Sequence, residues 1–93
     1  MYKIVEKQVL SDVTKLMVVE APLVARKAKA GQFVIVRVDE RGERIPLTIA
    51  DFDRPAGTIT LIFQEVGKST MQMGTLEVGQ EFATVVGPLG QPT

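Results

Sequence analysis

The chain has no cysteine and no histidine. Without cysteine there is no disulfide, no thiolate nucleophile and no ligand set for an iron–sulfur cluster, and the usual zinc sites fall away as well. Without histidine the side chain most often used to move protons near neutral pH is missing. Aromatic residues are scarce (four Phe, one Tyr, no Trp), so there is little to stack the bases of a single strand. Lys plus Arg and Asp plus Glu stand at 11 each, and no excess charge steers the chain to nucleic acid or anionic lipid. Long apolar runs are absent too, and none approaches the length that spans a bilayer. Met1-Tyr-Lys-Ile-Val-Glu-Lys7 alternates polar and apolar residues and does not have the apolar block of a signal peptide. These absences fit a cytoplasmic protein that binds neither nucleic acid nor membrane.

What is present is alternation. Ninety-three residues with a 45% hydrophobic share suffice for one domain with a single core. Tyr2, Ile4 and Val9-Leu10 mark a first strand, and Thr14 to Glu20 a second, after a turn at Ser11-Asp12. Pro22 breaks the ladder, and Pro22 to Ala30 has room for one helical turn with Arg26, Lys27 and Lys29 in solvent. Phe33 to Val38, Arg44 to Ala50, Thr58 to Glu65 and Glu81 to Val86 complete six strands, separated by glycine, proline and charged turns. Gly67 to Met73 is the helical stretch, with Gly74 placed to end it and Met71 and Met73 packing it onto the core. The pattern predicts an all-β fold, a six-stranded antiparallel Greek-key β-barrel with one short helix before the last strand. The chain stops at Gln91-Pro92-Thr93 just after a turn, which reads as a domain cut from a longer protein.

Two segments carry chemistry. In Val66-Gly67-Lys68-Ser69-Thr70, a glycine turn opens a helix whose first N–H groups lack partners and suit a phosphate. Lys68 can add charge, and Ser69 and Thr70 can add hydroxyl donors; equally, either hydroxyl can simply cap the helix. A P-loop is excluded, because the glycine it requires five residues before Gly67 is Ile62. In Arg44-Ile45-Pro46-Leu47-Thr48, a small hydroxyl sits mid-strand where it can bond a ring nitrogen while Leu47 lies against the ring. Pro46 suits an edge or barrel mouth, and Arg44 can neutralise phosphate with its fork of donors. The plain alternative is an edge strand with Thr48 in solvent and Arg44 paired to Glu43 or Asp51. In Leu61-Ile62-Phe63-Gln64 the backbone at Ile62 and the amide of Gln64 can meet the polar edge of such a ring, or the run is a buried strand. A flat ring site beside a phosphate site suggests a flavin nucleotide.

Ala30-Gly31-Gln32-Phe33-Val34, Ile45-Pro46-Leu47-Thr48-Ile49-Ala50-Asp51, Val66-Gly67-Lys68-Ser69-Thr70 and Gly87-Pro88-Leu89-Gly90 occur in that order. In type, order and spacing they resemble the N-terminal flavin-binding barrel of the ferredoxin–NADP⁺ reductase superfamily. The nearest likeness is to dihydroorotate dehydrogenase electron-transfer subunits and to ferredoxin–NADP⁺ reductase subunit alpha, also called sulfide dehydrogenase subunit beta. The resemblance covers essentially the whole chain. It implies a flavin ring against Leu47 and Thr48 and a pyrophosphate held by Gly67, Ser69 and Thr70. With the readings above, the candidate flavin-binding set is Arg44, Pro46, Leu47, Thr48, Ile62, Gln64, Gly67, Lys68, Ser69 and Thr70, with no catalytic side chain and no metal. Leu47 stands where the family strand motif has Tyr, and the family Arg falls at Ile45. Arg44 is thus one residue early, so a bulge near Pro46 is expected if it is to reach the phosphate. FAD is favoured over FMN because this branch uses FAD.

The resemblance further implies an NAD(P)H domain after residue 93 and, in some relatives, a [2Fe–2S] cluster held outside this segment. It implies an electron-transfer flavoprotein oxidoreductase, with a second subunit or a ferredoxin as partner. The competing expectation is a β-barrel binding or subunit-interaction module without catalytic work, in which Thr48 and Gly67 are structural.

Overall fold

Runs in which every second residue is apolar bury one face of a strand and wet the other. The computed structural model describes residues 2–93, and among these there are seven strands and two helices. The strands are β1 (Tyr2–Val9), β2 (Thr14–Glu20), β3 (Phe33–Arg37), β4 (Ile45–Asp53), β5 (Thr58–Gln64), β6 (Glu81–Phe82) and β7 (Thr84–Leu89). The helices are α1 (Pro22–Lys27) and α2 (Lys68–Gly74). All neighbouring strands are antiparallel, in the order β6-β1-β2-β5-β4-β3-β7. β3, β4 and β5 form a meander, and β2, which precedes them, lies beside β5. That is the connectivity of a Greek key.

The count of seven corrects the expected six. The stretch expected as one strand from Glu81 to Val86 divides at Ala83 and runs on to Leu89. The reason is a change of partner: β6 pairs with β1 (Tyr2 opposite Phe82), while β7 pairs with β3 (Arg37 opposite Thr84). Ala83 sits at the seam and donates its N–H to the Arg37 carbonyl at 3.0 Å. One continuous stretch therefore touches both free edges of the sheet and nearly closes the barrel, which removes the exposed edges of an open sheet.

The single expected helix is joined by a second. Pro22 occupies the first turn of α1, where its missing N–H costs no bond. Ala21, Val24, Ala25 and Ala28 are all buried, at the i, i+3, i+4, i+7 spacing of a helix face. Arg54 reaches over from the β4–β5 turn and donates to the carbonyls of Arg26 (3.2 Å) and Ala28 (2.8 Å), so the end of α1 is capped.

The core runs through the barrel: Ile4, Met17, Val19, Val34, Val36, Ile59 and Leu61 are buried, joined by Ile45, Leu47 and Ile49 of β4. No polar side chain is buried with them among the described residues. No helix among these residues is long and apolar enough to cross a membrane.

Candidate functional site

From Ile45 to Ala50, β4 alternates its side chains between two faces. Ile45, Leu47 and Ile49 point into the core, while Pro46, Thr48 and Ala50 are exposed, and Arg44 just ahead of the strand is exposed with them. The register against β3 is regular from Ile45 (opposite Val36) to Thr48 (opposite Phe33). The bulge expected near Pro46 is therefore absent; the shift in β4 comes later, between Ile49 and Asp51. Arg44 needs no bulge to share a face with Thr48, because two-residue alternation already puts Arg44, Pro46 and Thr48 on one side. Leu47 is the correction on the same strand. It is 9% exposed and packs in the core, facing away from the surface that carries Thr48.

β5 continues that outer surface. Leu61 and Phe63 are buried, Ile62 and Gln64 exposed, and Ile49 pairs with Leu61, which sets Thr48 beside Ile62 one residue further along. The chain then leaves the barrel through Glu65 and Val66 and enters α2 at Gly67. Thr70 organises this turn. Its hydroxyl oxygen accepts the N–H groups of Val66 (2.9 Å) and Gly67 (3.0 Å), and the hydroxyl lies 3.1 Å from the Gly67 carbonyl, to which it donates. The first helical bond runs from the Met71 N–H to the Gly67 carbonyl at 2.9 Å, so the N–H groups of Lys68, Ser69 and Thr70 have no helical acceptor.

Between the start of β4 and this turn lies a hollow of about 290 Å³, lined by Glu43, Arg44, Ile45, Pro46, Val66, Gly67, Lys68, Ser69 and Thr70. It lies at the lower end of ligand-pocket sizes, enough for one portion of a dinucleotide. Arg44 and Lys68 have no hydrogen-bond or ion-pair partner among the described residues, so two unneutralised cations face one carboxylate, that of Glu43. Gly67 has an extended backbone (φ −158°), which any residue adopts, and a Cβ placed there would meet no atom within 4 Å. Nothing in the described residues requires glycine at this point.

Of the ten residues singled out in the sequence, the hollow brings together Arg44, Pro46, Gly67, Lys68, Ser69 and Thr70. Thr48, Ile62 and Gln64 lie outside it on the adjoining exposed faces of β4 and β5, and Leu47 lies beneath. Glu43, Ile45 and Val66 line the hollow without having been singled out. Val66 is 77% exposed, and nothing in its sequence context singles it out, since isolated exposed apolar residues are common.

No family model matches the chain. An uncharacterized protein in the adh 3′ region of Clostridium beijerinckii is 54% identical over all 93 residues, which is 31% of that protein. The dihydroorotate dehydrogenase B (NAD(+)) electron transfer subunit homolog of Thermotoga maritima is 41% identical over 75 residues, covering 81% of this chain and 27% of that one. Among solved structures, a chain of the NADH-dependent reduced ferredoxin–NADP oxidoreductase superposes with a TM-score of 0.98 at 36% identity. That match covers 100% of this chain and 34% of the other. The cytochrome b5 reductase domain of Ulva prolifera nitrate reductase shares the fold, with a TM-score of 0.71 at 20% identity.

A nearly closed antiparallel barrel that superposes on these chains has the ferredoxin reductase-type fold. The chain belongs to the ferredoxin–NADP⁺ reductase superfamily, and its relatives include dihydroorotate dehydrogenase electron transfer subunits and a ferredoxin–NADP oxidoreductase chain. It spans about a third of the length of the curated relatives it matches.

Proposed function

We propose that the chain is the flavin-binding barrel of an NAD(P)H-linked electron-transfer oxidoreductase of the ferredoxin–NADP⁺ reductase and sulfide dehydrogenase type, and that its flavin is FAD. The carrying observation is the hollow lined by Arg44, Lys68 and Gly67, in which the two cations have no partner among the described residues and a Cβ on Gly67 would meet nothing within 4 Å. Such a cradle fits the pyrophosphate of a dinucleotide: two cations, a run of free N–H groups and room for close backbone approach.

The residues present divide the work. Arg44 and Lys68 supply charge to the phosphates, and the Lys68 and Ser69 N–H groups supply directed donors. Thr70 keeps the turn in shape through its two accepted bonds, so its hydroxyl serves the loop before the ligand. Pro46, Thr48, Ile62 and Gln64 offer a continuous exposed surface beside the hollow for the ring, with the Thr48 hydroxyl and the Gln64 amide able to bond its polar edge. Leu47 supports that surface from below and does not touch the ring. Bound flavin supplies the capacity to take a hydride from a nicotinamide and pass electrons on singly.

The nicotinamide site, any iron–sulfur cluster and the electron acceptor belong to parts of the whole protein outside these residues. The names of the relatives support a partner subunit, since they are subunits of dihydroorotate dehydrogenase, and a ferredoxin is the second partner class. Titrating the protein into FAD and following quenching of the flavin fluorescence tests the assignment. Saturable quenching by FAD and weaker quenching by FMN is the expected result. A full-length protein that is colourless and releases no flavin on denaturation refutes it.

A further inference from the structure

α2 and the turn before it are poorly anchored by apolar packing. Within the helix only Met73 and Gly74 are buried, while Val66, Gly67, Lys68 and Met71 are exposed. Something else must fix where the turn stands, and the structure assigns that role to polar contacts at its base. The excursion leaves the barrel at Glu65 and returns at Gly74, and these two residues touch. A Cβ on Gly74 would overlap Glu65 Oε2 and stand 2.7 Å from its Cδ. The other carboxylate oxygen, Oε1, accepts from Lys15 Nζ of β2, in an ion pair whose side chains are 14% and 16% exposed. The Glu65 N–H donates to the Val13 carbonyl at 2.7 Å. From the other strand of the same hairpin, Lys7 Nζ donates to the Gly74 carbonyl (2.9 Å) and to Glu77 Oε1 (2.7 Å).

We infer that the Lys15–Glu65 pair, closed against Gly74, is a clasp that positions the Val66–Thr70 turn for phosphate. Lys15 and Glu65 are positioning residues: neither lines the hollow, yet Glu65 stands two residues before Gly67. The clasp has a second consequence. With Lys15 in place the Glu65 carboxylate is neutralised; without it, an unpaired anion would stand close to the ligand's phosphates. A Cβ on Gly74 would have to displace the Glu65 carboxylate from this position. The inference rests on the flavin reading of the turn.

The test compares FAD with riboflavin, which carries no phosphate, on the parent protein and on Lys15→Met, Lys15→Arg and Gly74→Ala. A positioning role predicts that Lys15→Met and Gly74→Ala weaken FAD by about tenfold or more but riboflavin by less than about twofold, with Lys15→Arg close to the parent. Thermal melts without ligand report folding, and Gly74→Ala carries the test if Lys15→Met does not fold. If both variants keep the parent's ratio of FAD to riboflavin affinity, whether by losing neither ligand or by losing both equally, the clasp is structural only and the inference falls. A full-length parent protein that neither contains nor binds FAD refutes the flavin reading instead, and the clasp's role with it.

Discussion

Replacing Gly67 by leucine separates what the fold needs from what the ligand needs. The backbone there is extended, and the space a Cβ would enter is empty to 4 Å, so the folded chain accepts a larger side chain without a clash. Two small terms act on stability. Losing glycine at the position preceding the helix costs up to about 1 kcal/mol, and removing glycine's freedom in the unfolded chain returns about 0.4–1 kcal/mol. They nearly cancel, so the melting midpoint should move by no more than about 4–8 °C, the equivalent of 1 kcal/mol in a domain of this size. Binding has no such compensation. A leucine side chain would stand in the space a phosphate needs to reach the turn's N–H groups, and each charge-assisted bond is worth about 1.5–3 kcal/mol. Losing two of them raises the FAD Kd by roughly two to four orders of magnitude, at 1.4 kcal/mol per decade. Fluorescence-quenching titrations read the affinity, and melts of the ligand-free protein read the stability. A Gly67→Leu protein that melts like the parent and binds FAD within about threefold would refute the phosphate assignment.

Three other substitutions read different parts of the site and its support. Arg44→Ala and Lys68→Ala should each weaken FAD by about 1.5–3 kcal/mol and flatten the salt dependence of binding, while riboflavin affinity stays unchanged; an unaltered salt slope in both would remove them from the site. Thr48→Val should shift the reduction potential or reduction rate of bound flavin with stability held within about 0.5 kcal/mol, since Thr48 is exposed. A potential and rate equal to the parent's would take Thr48 off the ring. Met73→Ala should destabilise the protein by about 2–5 kcal/mol in denaturant titrations, because Met73 is fully buried, whereas Met71→Ala should change stability by less than about 0.5 kcal/mol. Equal costs for the two methionines would mean that α2 packs differently.

The methionine contrast also shows where sequence reading stops. Met71 and Met73 look like one packing pair, yet Met71 is 58% exposed and only Met73 enters the core. Two residues apart on a helix face about 200° from each other, so they are no candidates for a single face. The barrel strands are readable because their apolar residues alternate, and alternation alone places Arg44 with Pro46 and Thr48. Aligning the chain on the family's Arg overrides that simpler signal and raises the need for a bulge. α1 is readable in part, through Ala21, Val24, Ala25 and Ala28, but six residues are too few to stand out from a loop. The split at Ala83 is not readable. It arises because two strands far apart in sequence, β1 and β3, compete for one stretch. The clasp is invisible for the same reason, since Lys15 and Glu65 are brought together only by the pairing of β2 with β5.

The position of the hollow follows from how the barrel is filled. Its interior is occupied by side chains of the core strands, so a ligand has to lie on the outside. A binding surface built on the outer face of β4 is then fixed by the inner one. Ile45, Leu47 and Ile49 lock the register, and a slip by one residue would bury Pro46 and Thr48 and turn three large apolar side chains to solvent. Such a slip would forfeit about 1.5–3 kcal/mol for each displaced apolar side chain, which makes the outer face as rigid as the core beneath it. The turn at Gly67 has no such guarantee, because it stands on a helix with one buried methionine. The precision that β4 takes from hydrophobic packing has to be supplied there by ion pairs at the base of the turn. Ring and phosphate would thus be held by two different kinds of scaffold, and the phosphate side is the one that a change of a single lysine can disturb.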